Sequence, residues 1–267
     1  MLRDITLGQF FPGTSPLHRM DPRCKLLWTL FYIVLLFFID NYAGFLLYGV
    51  FVAWIISISE IRLRIIFAGL RPLLFILLFT AGLNVFASGG ETVLFRFWFL
   101  TATAEGIWAA GLMALRLVFL VLGSSMLTYT TSPVALTDGL ERLLAPFSKI
   151  GLPAHEIAMM MTIAIRFIPT ILEETDKIMK AQTARGADFD SGGLLKRAKA
   201  LIPLLVPLFI SAFRRADELA TAMECRCYTG GKGRTRLYTL RFTRVDYISA
   251  AFALVLAVGV TATRVLL

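Results

Sequence analysis

Charge is scarce in this 267-residue chain. Asp, Glu, Lys and Arg together make up 17% of it, against about 25% in an average soluble domain. Cysteine and histidine are scarcer still. The three cysteines, Cys24, Cys225 and Cys227, are too few for a disulfide framework and read as reduced cytosolic thiols. His18 and His155 sit in no metal-ligand pattern, and Cys225 and Cys227 have no Cys or His partner near them, which argues against zinc. Internal repeats and low-complexity tracts are absent. What the chain has in excess is apolar surface: 57% hydrophobic residues, 22 Phe and a mean hydropathy of +0.74. That excludes a disordered or collagen-like chain and argues against an ordinary soluble enzyme. The net charge of +9 then points to membrane topology rather than to nucleic acid.

Five apolar stretches are candidate crossings: Leu26–Ile39, Ala43–Ser59, Pro72–Ala87, Ile107–Leu127 and Tyr247–Leu267. A spanning helix needs roughly 17–25 predominantly apolar residues. The first run has 14, and it reaches that length only with Arg23 and Lys25 snorkelling toward headgroups. Asp21 and Pro22 suit its start, as N-cap and first helical residue. A sixth crossing near Val93–Leu100 is the alternative, since Phe95-Arg96-Phe97-Trp98-Phe99 has an interfacial composition. No cleavable signal peptide is expected, because the first apolar run begins late and lacks a small-residue cleavage site. In the short connecting segments, Arg3, Arg19, Arg23, Lys25, Arg62, Arg64 and Arg71 fall on one side of this map and Arg96 on the other. The positive-inside rule places the N-terminus in the cytoplasm and the C-terminus outside.

The fold expected is all-α: a polytopic membrane protein with about five transmembrane helices and long cytoplasmic amphipathic helices. Residues 1–132 form its N-terminal transmembrane region with four helices, 133–245 a cytoplasmic region, and 246–267 the last transmembrane helix. The middle region is charged but amphipathic, and holds no full-length span. After Ser132-Pro133, Val134–Ile150 reads as a short helix. A long helix follows from about Pro153 toward Ala187, with apolar residues from Ile157 to Ile171 recurring at three and four and a kink expected at Pro169. Glu173–Lys177 and Asp176–Lys180 are correctly oriented i,i+4 pairs on it. The loop Ala187–Gly193 separates it from a second long helix, about Leu194 to Tyr228, which offers an Arg214–Glu218 pair. Its apolar run Leu201–Phe213 contains Pro203 and Pro207 and is too short to span, so it should pack on protein or lipid.

Catalytic groups are hard to find. Gly230-Gly231-Lys232-Gly233-Arg234-Thr235 lacks the spacing of a phosphate-binding loop and follows no strand, so it reads as a linker. Glu173-Glu174 and Asp188/Asp190 are explained by a helix surface and a loop cap. Arg116, within the fourth apolar stretch, is expensive in lipid and should face protein or water; an internal structural pair is favoured over a substrate or gating contact. Arg185 and Arg226 stand out. Each lies near the end of a long amphipathic helix between small residues, Ala184-Arg185-Gly186 and Cys225-Arg226-Cys227. A C-terminal cation complements the helix dipole, but two such triplets suggest projecting guanidinium knobs suited to a carboxylate-lined groove.

These features carry a family likeness. The run His18-Arg19-Met20-Asp21-Pro22-Arg23-Cys24-Lys25-Leu26 is one part of it, with Arg166-Phe167-Ile168-Pro169 and Ala181-Gln182-Thr183-Ala184-Arg185-Gly186-Ala187-Asp188. Arg214-Arg215-Ala216-Asp217-Glu218-Leu219-Ala220 and Glu224-Cys225-Arg226-Cys227-Tyr228-Thr229-Gly230-Gly231 complete it. Over nearly its whole length the chain resembles the transmembrane T component (EcfT) of energy-coupling factor (ECF) transporters, the ABC-type bacterial importers of vitamins and related micronutrients. The two small-Arg-small triplets are the family's most specific signature; Cys225 and Cys227 replace the more usual Ala and Gly.

The resemblance implies a scaffold in the cell membrane that catalyses nothing itself and needs no cofactor. Two cytosolic ATPase subunits (A and A') would clamp the coupling helices at Ala184, Arg185, Gly186, Cys225, Arg226 and Cys227. A separate membrane-embedded S component would hold the vitamin, and the stretch Tyr228–Arg236 resembles T components that serve several exchangeable S components. Two rival classes remain open from the residues alone. A self-contained secondary transporter should show matching halves and polar residues at depth, and a membrane-embedded enzyme should show convergent carboxylates or histidines; neither pattern is evident.

Overall fold

The computed structural model describes residues 10–87, 93–97, 100–189, 193, 195, 199–231 and 240–266. In chain order its helices are α1 (Pro16–Arg19), α2 (Pro22–Phe37), α3 (Tyr42–Ile58), α4 (Leu63–Leu70), α5 (Leu74–Ala87), α6 (Ala104–Thr130) and α7 (Pro133–Leu144). They continue with α8 (Ala154–Ala184), α9 (Ile202–Cys225) and α10 (Arg244–Leu266). Single 3₁₀ turns at Arg71–Leu73 and Ala145–Ile150 follow α4 and α7. The molecule is an all-α polytopic membrane protein with one small addition, an antiparallel hairpin of β1 (Val93–Phe97) and β2 (Leu100–Thr103).

The chain divides into two compact units, one within Glu141–Tyr238 and the other within Gly8–Leu140 joined by Thr239–Leu267. In the second unit, α2, α3, α6 and α10 share a core of Tyr32, Leu35, Leu36, Ile39, Phe45, Tyr48, Val52, Leu256 and Val260. Two tyrosines give this core its specificity. Tyr48 donates to the Tyr32 carbonyl at 2.7 Å, and Tyr32 donates to the Phe119 carbonyl at 2.6 Å. Both hydroxyls are thereby satisfied where water is excluded. Gly123 on α6 makes the packing possible: a Cβ there would lie 2.1 Å from Cε1 of Tyr32. Small residues at helix contacts are the usual device for close approach in lipid.

A polar lattice closes one end of this unit. Asp21 caps α2 by accepting from the Arg23 amide at 2.9 Å and pairs with the Arg23 guanidinium at 2.8 Å. Its own amide donates to Asp246 of α10 at 2.9 Å, and Asp246 accepts the Thr243 amide and hydroxyl at 2.6 and 2.8 Å. Lys25 donates to the Thr130 carbonyl at 2.8 Å and the His18 carbonyl at 3.4 Å. Lys25 is 7% exposed, so it does not snorkel outward, and two of its N–H groups are spent on these carbonyls. Arg116 faces protein. It donates to the Ile39 carbonyl at 2.7 Å, lies 3.8 Å from Asp40 and stands over the Phe37 ring.

Four helical stretches are long and apolar enough to cross a membrane: Leu63–Phe86, Ala104–Thr130, Ala154–Ala184 and Arg244–Arg264. The first begins earlier than the sequence reading places it, because the arginine-bearing residues 63–70 are helical and continue through the 3₁₀ turn. The alternative of a sixth crossing near Val93–Leu100 finds no helix among the described residues. Val93–Phe97 and Leu100–Thr103 pair as strands, each too short for the roughly 9–11 residues that a spanning strand needs; Trp98 and Phe99 lie outside the described residues. Ala154–Ala184, where no span is expected, qualifies by length and composition with a mean hydropathy of 1.3, the lowest of the four. Tyr42–Ile58 is apolar but shorter, and α2 has 16 residues.

Candidate functional site

Arg185 and Arg226 occupy the same position in two copies of one local structure. α8 ends at Ala184, so Arg185 is its C-cap, with φ −88° and ψ 7°. α9 ends at Cys225, so Arg226 is its C-cap, with φ −92° and ψ 14°. The next residue is left-handed in both, Gly186 at φ 89° and Cys227 at φ 54°. The hydrogen bonds match as well. After α8, Gly186 N–H donates to Thr183 at 2.9 Å and Ala187 N–H to Gln182 at 3.0 Å; after α9, Cys227 N–H donates to Glu224 at 2.8 Å and Tyr228 N–H to Met223 at 3.0 Å. This is the Schellman arrangement, in which a left-handed residue reverses the chain onto the last carbonyls. A glycine after the arginine is its usual sequence mark. Cys227 hides that mark at the second site.

Such a cap ends the helix sharply and leaves the preceding side chain projecting. Ala184, Arg185, Gly186, Cys225, Arg226 and Cys227 are all exposed. Among the described residues no carboxylate lies within 4.0 Å of either arginine. The three cysteines are free thiols.

α8 and α9 run antiparallel. Gln182 donates to the Pro203 carbonyl at 3.3 Å at one end of the pair. Further along, Arg215 clamps Glu174 with a 2.8 Å ion pair, and Ser211 donates to the same carboxylate. The Ser211 hydroxyl, followed by Arg215, holds the Glu174 carboxyl below the usual carboxylate range. The expected pairs Glu173–Lys177, Asp176–Lys180 and Arg214–Glu218 are not formed within 4.0 Å among the described residues. Exposed i,i+4 pairs are worth a few tenths of a kcal/mol, and Glu174 instead finds a cation across the hairpin. From the Gln182–Pro203 contact α9 continues 23 residues to Arg226, about 35 Å at 1.5 Å per residue. The two arginines therefore stand at opposite ends of the hairpin.

Near the Arg226 end, His155 on α8 hydrogen-bonds Glu141 of α7 at 3.0 Å, and its side chain is close enough to Gly231 that a Cβ there would sit 2.5 Å away. Sequence reasoning missed this contact and the Glu174 clamp, since both join residues far apart in the chain. Lys232–Arg236 and Asp190–Gly192 of the two expected loops, and Leu194 at the expected start of the second long helix, lie outside the described residues. No group of three His, Cys, Asp or Glu that could hold a metal occurs among the described residues.

Residues 13–237 match the sequence family described as CbiQ, cobalt transport protein. Over 257 residues the chain is 56% identical to the energy-coupling factor transporter transmembrane protein EcfT of Clostridium kluyveri, covering 96% of this chain and 95% of that one. EcfT of Thermosediminibacter oceani is 54% identical, with 98% of this chain and 99% of that one covered. EcfT of Bacillus subtilis is 44% identical, with 96% and 97% covered. The chain belongs to this family. As a CbiQ/EcfT member it is a multi-pass membrane subunit of an ECF transporter. The family run His18–Leu26 is the lattice around Asp21 and Lys25, and Arg214–Ala220 supplies the Arg215 clamp.

Proposed function

We propose that this EcfT-family chain is the energy-coupling scaffold of an ATP-driven micronutrient importer, with Arg185 and Arg226 as its anchors on two cytosolic ATPase subunits. One observation carries this reading: the two arginines are exposed C-caps with the same hydrogen-bond pattern at opposite ends of one antiparallel hairpin. A separation of about 35 Å suits two separate grooves, one on each of a pair of ATPases, better than one shared pocket. Closure of such a pair would draw on both ends of the hairpin at once. The chain itself has no phosphate-cradling loop, so hydrolysis belongs to the partners and this subunit is not an enzyme.

The membrane unit supports the other half of the reading. Phe67, Phe75, Phe79 and Phe86 are exposed along α4 and α5, beside Leu74, Leu78 and Leu83. A smooth apolar face with few polar locks lets a partner dock, slide and leave, which is what an exchangeable S component carrying the vitamin requires. The basic residues of the short segments support a cytoplasmic N-terminus.

Crosslinking tests the two-anchor reading. Cysteines placed at 185 and 226, in a chain whose own three cysteines are replaced, should crosslink to two ATPase subunits distinguished by tags. Capture of both positions by the same groove of one subunit overturns it.

A further inference from the structure

We propose that the apolar cleft between α2, α3, α6 and α10 is a lipid site that holds one acyl chain of an anionic phospholipid, with the headgroup phosphate received by Lys25. The cleft has a volume of about 430 Å³, within the range of about 300–1,000 Å³ typical of ligand sites. Its walls are Trp28, Phe51, Trp54, Phe252 and Leu256, and Lys25 lies at its polar end. Along α10 it is lined between Val245 and Leu256, a rise of about 16 Å over 11 steps. That is the depth of one leaflet of a hydrocarbon core about 30 Å thick. An empty apolar cleft forfeits dispersion contacts on every wall, and acyl chains are the apolar molecules a bilayer supplies.

Charge selects the lipid class. Lys25 has three N–H donors and gives two to the carbonyls of Thr130 and His18. Among the described residues no carboxylate lies within 4.0 Å of it. Asp246 is already engaged by the Asp21 amide and by Thr243. A buried ammonium without a close counter-ion is costly, and a phosphate at the mouth of the cleft offsets that cost. Arg19 and Arg23 precede Lys25 in the same short segment, and Arg244 opens the helix that lines the cleft. Juxtamembrane cations each favour an anionic headgroup, although Arg23 is already paired with Asp21. The wall aromatics Trp54 and Phe252, 4.6 Å apart between ring centroids, flank the chain rather than the head.

Native mass spectrometry of the purified full chain tests this, after delipidation and titration with palmitoyl-oleoyl phosphatidylglycerol or the corresponding phosphatidylcholine. The wild type should bind one phosphatidylglycerol about tenfold more tightly than phosphatidylcholine. Lys25→Gln should retain binding but lose the preference, and Ala253→Phe, which fills the cleft from its wall, should bind neither. Where Ala253→Phe fails to fold, Ile248→Trp at the exposed mouth serves the same purpose. Equal binding of both lipids by the wild type, or retention of lipid by the filled variant, overturns the assignment. So does a photocrosslinker at position 28 that captures a protein chain rather than a lipid in the assembled transporter, since the cleft is then a seat for a partner helix.

Discussion

At the residue scale the two arginine caps are alike in hydrogen bonding but unequal in backbone cost. Gly186 takes φ 89° freely, whereas Cys227 holds φ 54° with a side chain. A left-handed non-glycine residue costs about 1–2 kcal/mol. Cys227→Gly should therefore stabilise the end of α9 by about 0.5–1 kcal/mol, and Gly186→Ala should destabilise the end of α8 by about 1 kcal/mol. Thermal unfolding of the two variants in one detergent checks the opposite signs; shifts of the same sign would show that the caps are not equivalent. The arginines themselves, as interfacial anchors, should each cost about 2–4 kcal/mol of assembly when truncated to Ala. Both triplets stand out in the sequence through their small neighbours. Their equivalence does not, since Cys227 removes the glycine that announces a left-handed cap.

Among elements, the α8–α9 hairpin is held by a clamp that no local pattern reveals. Periodicity located α8 to within a few residues at each end, and it located the C-terminal end of α9 as closely. It could not show that Glu174 reaches Ser211 and Arg215 rather than a neighbour on its own helix, because that choice is made by packing. The Glu174 carboxyl titrates below its ordinary range, so the clamp is fully present above the unfolded glutamate value of about 4.3 and is lost as pH falls through the lower folded value. Protease resistance of the hairpin should fall under acid in the wild type and be low already at neutral pH in Glu174→Gln. An acid profile unchanged by that substitution would remove Glu174 from the mechanism. In the membrane unit, Gly123→Ala should cost about 1–3 kcal/mol, because the added methyl meets the Tyr32 ring that donates to Phe119. Tyr32→Phe in the same background relieves no clash, so denaturation of single and double variants separates overpacking from loss of the hydrogen bond.

For the molecule as a whole, the register of the hairpin bears on whether α8 crosses the membrane. α8 is long and apolar enough to cross by itself. A spanning hairpin, however, must carry both apolar runs at one depth. Here Gln182 faces Pro203, and Glu174 faces Ser211 and Arg215. The apolar run Leu201–Phe213 of α9 thus lies beside the charged half of α8, and the charged half of α9 lies beside the apolar start of α8. Placing either run in hydrocarbon would draw charges of the other helix in with it, at about 2.5–3.5 kcal/mol each on insertion scales. The exposed Ile202, Leu205, Phe209 and Phe213 are then a face for a membrane surface or a partner rather than a span. Were α8 to cross, Arg185 and Arg226 would emerge on opposite sides, and one could not reach a cytosolic ATPase. A membrane-impermeant maleimide decides between these arrangements using the native exposed thiols Cys225 and Cys227 and a cysteine introduced at Arg185. All three positions should resist labelling in intact cells and react in inverted vesicles. Labelling of position 185 from outside, with Cys225 and Cys227 protected, would establish a crossing hairpin and leave only one arginine for the coupling role.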